Sequence, residues 1–165
     1  MKVGYVYDPI YLKHDTGTHP ENAQRLEAII AYLEKAGTLP KLALIKPRPA
    51  TIDEIAQVHH RQHITHIQEV ALRGGGWLDV DTIMSTDSYD AALYAAGGVI
   101  SATDAVMAGE VSSIFALVRP PGHHSTRQQA MGFCLFNNIA IATKHALNKY
   151  QLERIAIVDF DVHHG

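Results

Sequence analysis

The stretch Ile114-Phe115-Ala116-Leu117-Val118-Arg119-Pro120-Pro121-Gly122-His123-His124 is a short apolar run that ends in a proline turn and a histidine pair. A second stretch, Ile155-Ala156-Ile157-Val158-Asp159-Phe160-Asp161-Val162-His163-His164-Gly165, repeats that plan at the end of the sequence. Apolar, β-branched runs of this length, separated by a helical pattern, read as neighbouring buried strands of a parallel sheet. Open α/β sheets place their sites outside the carboxyl ends of such strands. His123, His124, Asp159, Asp161, His163 and His164 are therefore expected in one crevice.

Composition bounds what that crevice can be. With 165 residues, 47% of them hydrophobic and 19% charged, the chain has the material for one domain with a real core. A net charge of -3 with no basic tract argues against nucleic acid as a partner. Cys134 is the single cysteine, which excludes an intrachain disulfide and suits a reducing compartment. The apolar start, Val3 to Tyr7, is too short for a signal peptide, and no run approaches the roughly 20 residues of a membrane span. A soluble, cytoplasmic protein without a membrane partner is expected.

Outward from the two strand ends, Val3 to Tyr7 reads as a first strand and Leu42 to Ile45 as another. Leu26, Ile29, Ile30 and Leu33 fall on one face of a helix over Glu21 to Ala36, stopped by Gly37. Thr51 and Glu54 form a capping box. Ser88 reads as the N-cap of an alanine-rich helix to Ala108, whose Ala95-Ala96-Gly97-Gly98 face suits close packing on a sheet. Asn137 or Asn138 caps a helix to about Leu147, and Arg154 to Phe160 reads as the last strand. Strand and helix alternate, so the expectation is a single α/β domain over 1–165, a parallel doubly wound sheet with flanking helices.

Three features compete with the strand ends as candidate sites. His59, His60, His63 and His66 are clustered, and three of them share a face if helical, but no closed ligand set accompanies them. Surface or cap positions are expected instead. Gly74-Gly75-Gly76 lacks the pattern of a phosphate loop and reads as a flexible loop. Asp79 and Asp81 could hold a cation or a substrate amide, though paired aspartates in loops are commonly turn-formers.

The chemistry belongs to the strand ends. A metal that activates water at neutral pH is commonly zinc, held by imidazole and carboxylate with one open position. Asp161 and His163, two residues apart on extended backbone, project to the same side and supply half of such a set. His123 and His124 suit the remaining roles of proton acceptor and electrostatic partner. Asp159, expected to be buried one pleat before Asp161, is placed to orient a histidine.

At Arg119 through His124, Met131-Gly132-Phe133-Cys134-Leu135-Phe136-Asn137-Asn138 and Val158 through Gly165, the chain resembles the histone deacetylase superfamily. The resemblance is to its class II-like and bacterial branch, with the acetylpolyamine amidohydrolases, and reaches back through Asp79 to Thr82 and Gly97-Gly98 to His19-Pro20-Glu21 and Arg25. It implies the arginase-deacetylase fold and zinc-dependent hydrolysis of an acetyl amide of acetyl-lysine or acetylpolyamine type. By the same resemblance, Asp161 and His163 are zinc ligands, His124 is the general base, and His123 is its partner, paired with Asp159. Asp159, Asp161 and the His163 carbonyl resemble part of a potassium site. Phe133, with Gly132 beside it, resembles a wall of the acyl-lysine tunnel, and Asp81 the carboxylate that holds the substrate backbone. Cys134 reads as structural and His164 as no ligand.

The family supplies a third zinc ligand, an aspartate, and an electrophilic tyrosine downstream of these motifs, and neither occurs in a sequence that stops at Gly165. The expectation is thus an N-terminal portion of a deacetylase domain, inactive alone, with an incomplete sheet and Ile155 to Phe160 as an exposed edge. The alternative is a non-catalytic protein that binds an acetylated ligand or a partner subunit. An arginase-like hydrolase fits less well, given Pro-Pro-Gly-His-His and Gly-Phe-Cys.

Overall fold

A computed structural model describes residues 2–164. Gly165, which closes the second motif, lies outside the described residues. In chain order the elements are β1 (Val3–Val6), α1 (Gln24–Lys35), β2 (Ala43–Ile45), α2 (Ile52–Ile55), α3 (Arg61–Leu72), β3 (Gly75–Trp77), β4 (Ile83–Ser85), α4 (Ser88–Met107), β5 (Ser113–Ala116) and α5 (Asn138–Tyr150). β1 is the middle strand of a parallel sheet in the order β2-β1-β5, with Val6 opposite Ile45 on one side and Ala116 on the other. Parallel neighbours need crossovers. The connection from β1 to β2 contains α1, and α4 directly precedes β5.

The long helix α4 organises the interior. Ala91, Ala92, Ala95, Ala96 and Ile100 are fully buried, so small side chains let neighbouring elements approach its axis. A Cβ at Gly97 would overlap the backbone of Arg48 to Ala50, and one at Gly98 would meet the Tyr11 hydroxyl and Val6. The smooth face seen in the sequence therefore packs on β1 and also on the segment that follows β2. Ile55, Ile67, Ile100, Leu135, Phe136 and Ile141 form one apolar core, and Tyr11, Leu26, Ala95 and Leu117 form a second. Each fully buried large side chain contributes about 1.5–3 kcal/mol.

Local signals hold where the partners are near in sequence. Thr51 and Glu54 make both bonds of a capping box. Asn137 accepts from the Ala140 amide at 3.1 Å and starts α5. Gly37 follows α1 in the left-handed conformation, φ 61.

Elsewhere the structure departs from expectation. Arg154 to Phe160 is not a strand: it makes no ladder and is exposed, with Val158 82% and Phe160 95% accessible. A buried parallel strand needs a paired neighbour and cover on both faces, and no described element supplies them there. The Gly74 to Gly76 stretch is not a plain loop, since Gly75 and Gly76 belong to β3 and pair with Ser85 and Met84 of β4 in an antiparallel hairpin. Its glycines carry no apolar pattern, but a Cβ at Gly75 would strike the Met84 backbone. Ser88 is not the N-cap of α4. Asp87 takes that position, and the buried Ser88 hydroxyl accepts from the Ser85 amide at 2.7 Å and meets His14 Nδ1 at 2.7 Å. His60 is the N-cap of α3, but His59 and His63 are core residues, 2% and 4% exposed. His59 Nε2 accepts from the Asn137 amide at 2.9 Å, and His63 Nε2 lies 2.9 Å from the Leu135 carbonyl. Burial pushes the His59 imidazole down to about 4 and lowers His63 as well. They are neutral hydrogen-bonding spacers between α3 and the start of α5.

Candidate active site

Arg119 sets the first strand end. It is 1% exposed, so its charge requires full pairing. Nε and Nη2 make a two-pronged contact with Glu21 at 2.6 and 2.9 Å, while Nη1 and Nη2 donate to the carbonyls of Tyr11 and His14 at 3.0 and 2.9 Å. Glu21 is itself buried and also holds Arg25 at 3.3 Å. The N-terminal loop is thereby clamped to the exit of β5. Pro120 and Pro121 then turn the chain, with the Arg119–Pro120 peptide cis, and deliver His123 and His124. Their rings lie 4.2 Å apart between centroids.

A cavity of about 280 Å³ opens at this point, lined by His123, His124, Gly132, Phe133, Asp161 and His163 together with Glu21 and Arg25. Gly132 and Phe133 both have left-handed backbones, φ 55 and 70. A Cβ on Gly132 would run into the His124 ring, so only glycine lets this loop lie against that histidine. His19 meets the Phe133 ring edge-on, with centroids 4.5 Å apart.

The second motif reaches the cavity without being a strand. Asp159 Oδ2 lies 2.8 Å from His123 Nδ1, the one long-range hydrogen bond of the terminal segment among the described residues. Asp159 is exposed, not buried as its position in a strand would require. The Asp161 amide donates to Asp159 Oδ1 at 3.1 Å, and the His163 amide donates to Asp161 Oδ1 at 2.7 Å. These amide bonds, followed by the nearby histidines, hold both carboxyls below the usual carboxylate range. The ligand atoms of His123, His124 and Asp161 lie within 4.8 Å of one another. His163 stands outside that trio and touches Asp161, Nδ1 to Oδ1, at 3.2 Å. Imidazole and carboxylate bound to one tetrahedral zinc at roughly 2.0–2.2 Å would put their donor atoms roughly 3.3 Å apart. The Asp161–His163 spacing fits two corners of such a site.

The chain belongs to the histone deacetylase family. The histone deacetylase domain matches residues 19–165. A probable deacetylase of Methanothermobacter thermautotrophicus is 41% identical over 97% of this chain and 47% of its own length. A histone deacetylase-like amidohydrolase of Pseudomonas aeruginosa is 38% identical over 98% of this chain and 41% of its own length. The crystal structure of the HDA15 HD domain superposes with a TM-score of 0.83 at 34% identity, covering 89% of this chain and 44% of that one. The chain thus spans under half the length of each of these relatives, and it shares the arginase-deacetylase α/β fold.

Of the residues singled out in the sequence, His123, His124, Gly132, Phe133, Asp161 and His163 meet in the cavity, and Asp159 stands behind His123. Asp81 is not among the cavity walls. It lines a narrow cleft on the other side of Phe133, with His14 and His19. His164 is exposed and is not among the cavity walls. Cys134 is fully buried, and burial pushes its thiol up to about 12, which leaves no thiolate near neutrality. Sequence reasoning missed the Glu21–Arg119 pair, although a signal for it exists: an arginine between a buried strand and a proline turn demands a buried carboxylate. No helix among the described residues is long and apolar enough to cross a membrane.

Proposed function

We infer that the protein of which these residues form the site is a zinc-dependent deacetylase that hydrolyses an acetyl amide of acetyl-lysine or acetylpolyamine type. The observation that carries this reading is the adjacent His123–His124 pair, backed by Asp159 and facing the Asp161–His163 pair across one cavity. Zinc, when bound, supplies a Lewis acid that polarises the acetyl carbonyl and makes water acidic enough to deprotonate near pH 7. Asp161 and His163 would hold it. His124 accepts the proton of the attacking water and returns one to the departing amine. His123 donates from Nδ1 to Asp159, which fixes the ring and leaves Nε2 as its cavity-facing group. Phe133 shapes the passage for an extended apolar stem, and Asp81, beside Phe133 but outside the cavity walls, would hold the substrate backbone beyond it. Asp159 and Asp161, with the His163 carbonyl, would also hold potassium.

Two protein ligands do not complete a zinc site, which takes three in catalytic form. Residues 1–165 expressed alone are therefore expected to bind zinc weakly and to turn over no substrate, whereas a longer polypeptide of the length seen in the relatives is expected to bind zinc tightly and to hydrolyse substrate. In that longer protein, Asp161→Ala or His163→Ala should remove zinc and turnover together. His124→Ala should keep zinc, measured by metal analysis, and slow hydrolysis of an acetyl-lysine peptide by about a hundredfold or more. Full zinc stoichiometry in His163→Ala would sink the ligand assignment, and near-normal rates in His124→Ala would sink the base. The exposed apolar residues Phe115, Val158 and Phe160 support a second reading, a binding protein that pairs with another subunit. Hydrolysis by the longer wild-type protein would exclude that reading as its sole role.

A further inference from the structure

Phe133 is held by more than its own packing. A non-glycine residue at φ 70 is uncommon and persists where its surroundings fix it. Its amide donates to Thr82 Oγ1 at 3.0 Å, across 51 residues of sequence. Thr82 is fully buried, and its hydroxyl hydrogen goes to Asp81 Oδ1 at 3.2 Å. A single hydroxyl thus accepts from one proposed substrate-contacting residue and donates to the other. The backbone of Thr82 acts elsewhere, since its carbonyl accepts from the Leu78 amide at 2.8 Å and closes the β3–β4 hairpin. Loss of the hydroxyl leaves that hairpin bond in place.

We propose that Thr82 is a positioning residue that couples the tunnel wall at Phe133 to the rim carboxylate of Asp81, so that both present one fixed geometry to the substrate stem. The proposal rests on the deacetylase reading, in which those two residues touch substrate. Thr82 makes no contact with His123, His124, Asp161 or His163 in the hydrogen-bond network, so its removal acts on how substrate is received and not on how its bond is broken. Valine has nearly the shape of threonine without the hydroxyl; serine keeps the hydroxyl and loses a methyl.

The test uses the longer protein with an acetyl-lysine peptide. Thr82→Val should raise KM about tenfold with kcat within about twofold, the signature of lost binding without lost transition-state contacts. Thr82→Ala, which crowds nothing, should show the same split, and Thr82→Ser should return both constants to within about twofold of the wild type. A second readout does not need turnover. Amide hydrogen exchange at Phe133 should speed about tenfold or more in Thr82→Val and stay slow in Thr82→Ser. Unchanged Phe133 exchange in Thr82→Val, an equal fall in kcat and kcat/KM, or failure of serine to rescue would each overturn the proposal. A wild-type protein that cleaves no acetylated substrate would instead overturn the deacetylase reading and the substrate half of this one, while the exchange result still decides whether Thr82 holds Phe133.

Discussion

Two segments of this chain follow one plan and meet opposite fates. Ile114 to His124 and Ile155 to His164 each run from an apolar stretch into a histidine pair. The first joins β1 in the sheet, buries Leu117 and Arg119, and is clamped by Glu21. Among the described residues the second pairs with no strand and is exposed along its length, yet it brings Asp161 and His163 to the same cavity, with Asp159 bonded to His123. An apolar run thus becomes a strand where a neighbour accepts its backbone bonds, as β1 does for β5, even though Phe115 stays 62% exposed. A position at the cavity needs less, because the Asp159–His123 contact brings an unpaired segment there.

If the first segment is truly the anchored one, breaking its clamp should cost most. Arg119→Met leaves the Glu21 carboxylate buried without its main partner, and such a loss destabilises by about 3–5 kcal/mol. Urea unfolding of the variant should then show a marginal or absent native baseline. A loss under about 1 kcal/mol would mean that the pair is hydrated in solution and that the asymmetry between the two segments is smaller than the structure implies.

The next effect is about 3 kcal/mol for each of His14 and His59, buried histidines that pack near the first segment's surroundings. Burial pushes His14 and His59 from 6.5 down to about 4. Both are neutral in folded and unfolded chains above 6.5, so their contribution is fully present there. Between 6.5 and about 4 the unfolded chain takes up protons that the folded one refuses, and stability falls with pH. Denaturation measured across that window should show the decline, and His59→Phe should reduce its slope by close to one proton. A flat profile would place both rings in contact with water.

How much of this could be read in the sequence follows from the distance between partners. The Thr51–Glu54 box, the Asn137 cap and the stop at Gly37 are local, and each is legible from a few residues. The cavity's residues were legible because three motifs carry them in order. What stayed hidden is long-range: Glu21 with Arg119 across 98 residues, Thr82 with Phe133 across 51, and His63 with Leu135 across 72. The glycine strand β3 was hidden for another reason, since glycine leaves no apolar period to read. Arg154 to Phe160 misled in the opposite sense, because its composition is that of a strand whose neighbour and cover the described residues do not provide.

The smallest expected effect tests the exposed segment itself. Val158 is 82% accessible and Phe160 95%, so neither buries surface whose loss would be felt. Val158→Asp in the 165-residue chain should leave the urea midpoint unchanged, whereas Leu117→Asp, at a position 3% exposed in the anchored segment, should abolish folding. Amides after Leu152 should exchange rapidly, against slow exchange in α4. If Val158→Asp instead lowers the midpoint, the apolar face of this segment packs against something in solution. The candidate is then the free edge of β5, where Phe115 is 62% exposed, and the two segments would be the neighbours that their shared plan suggests.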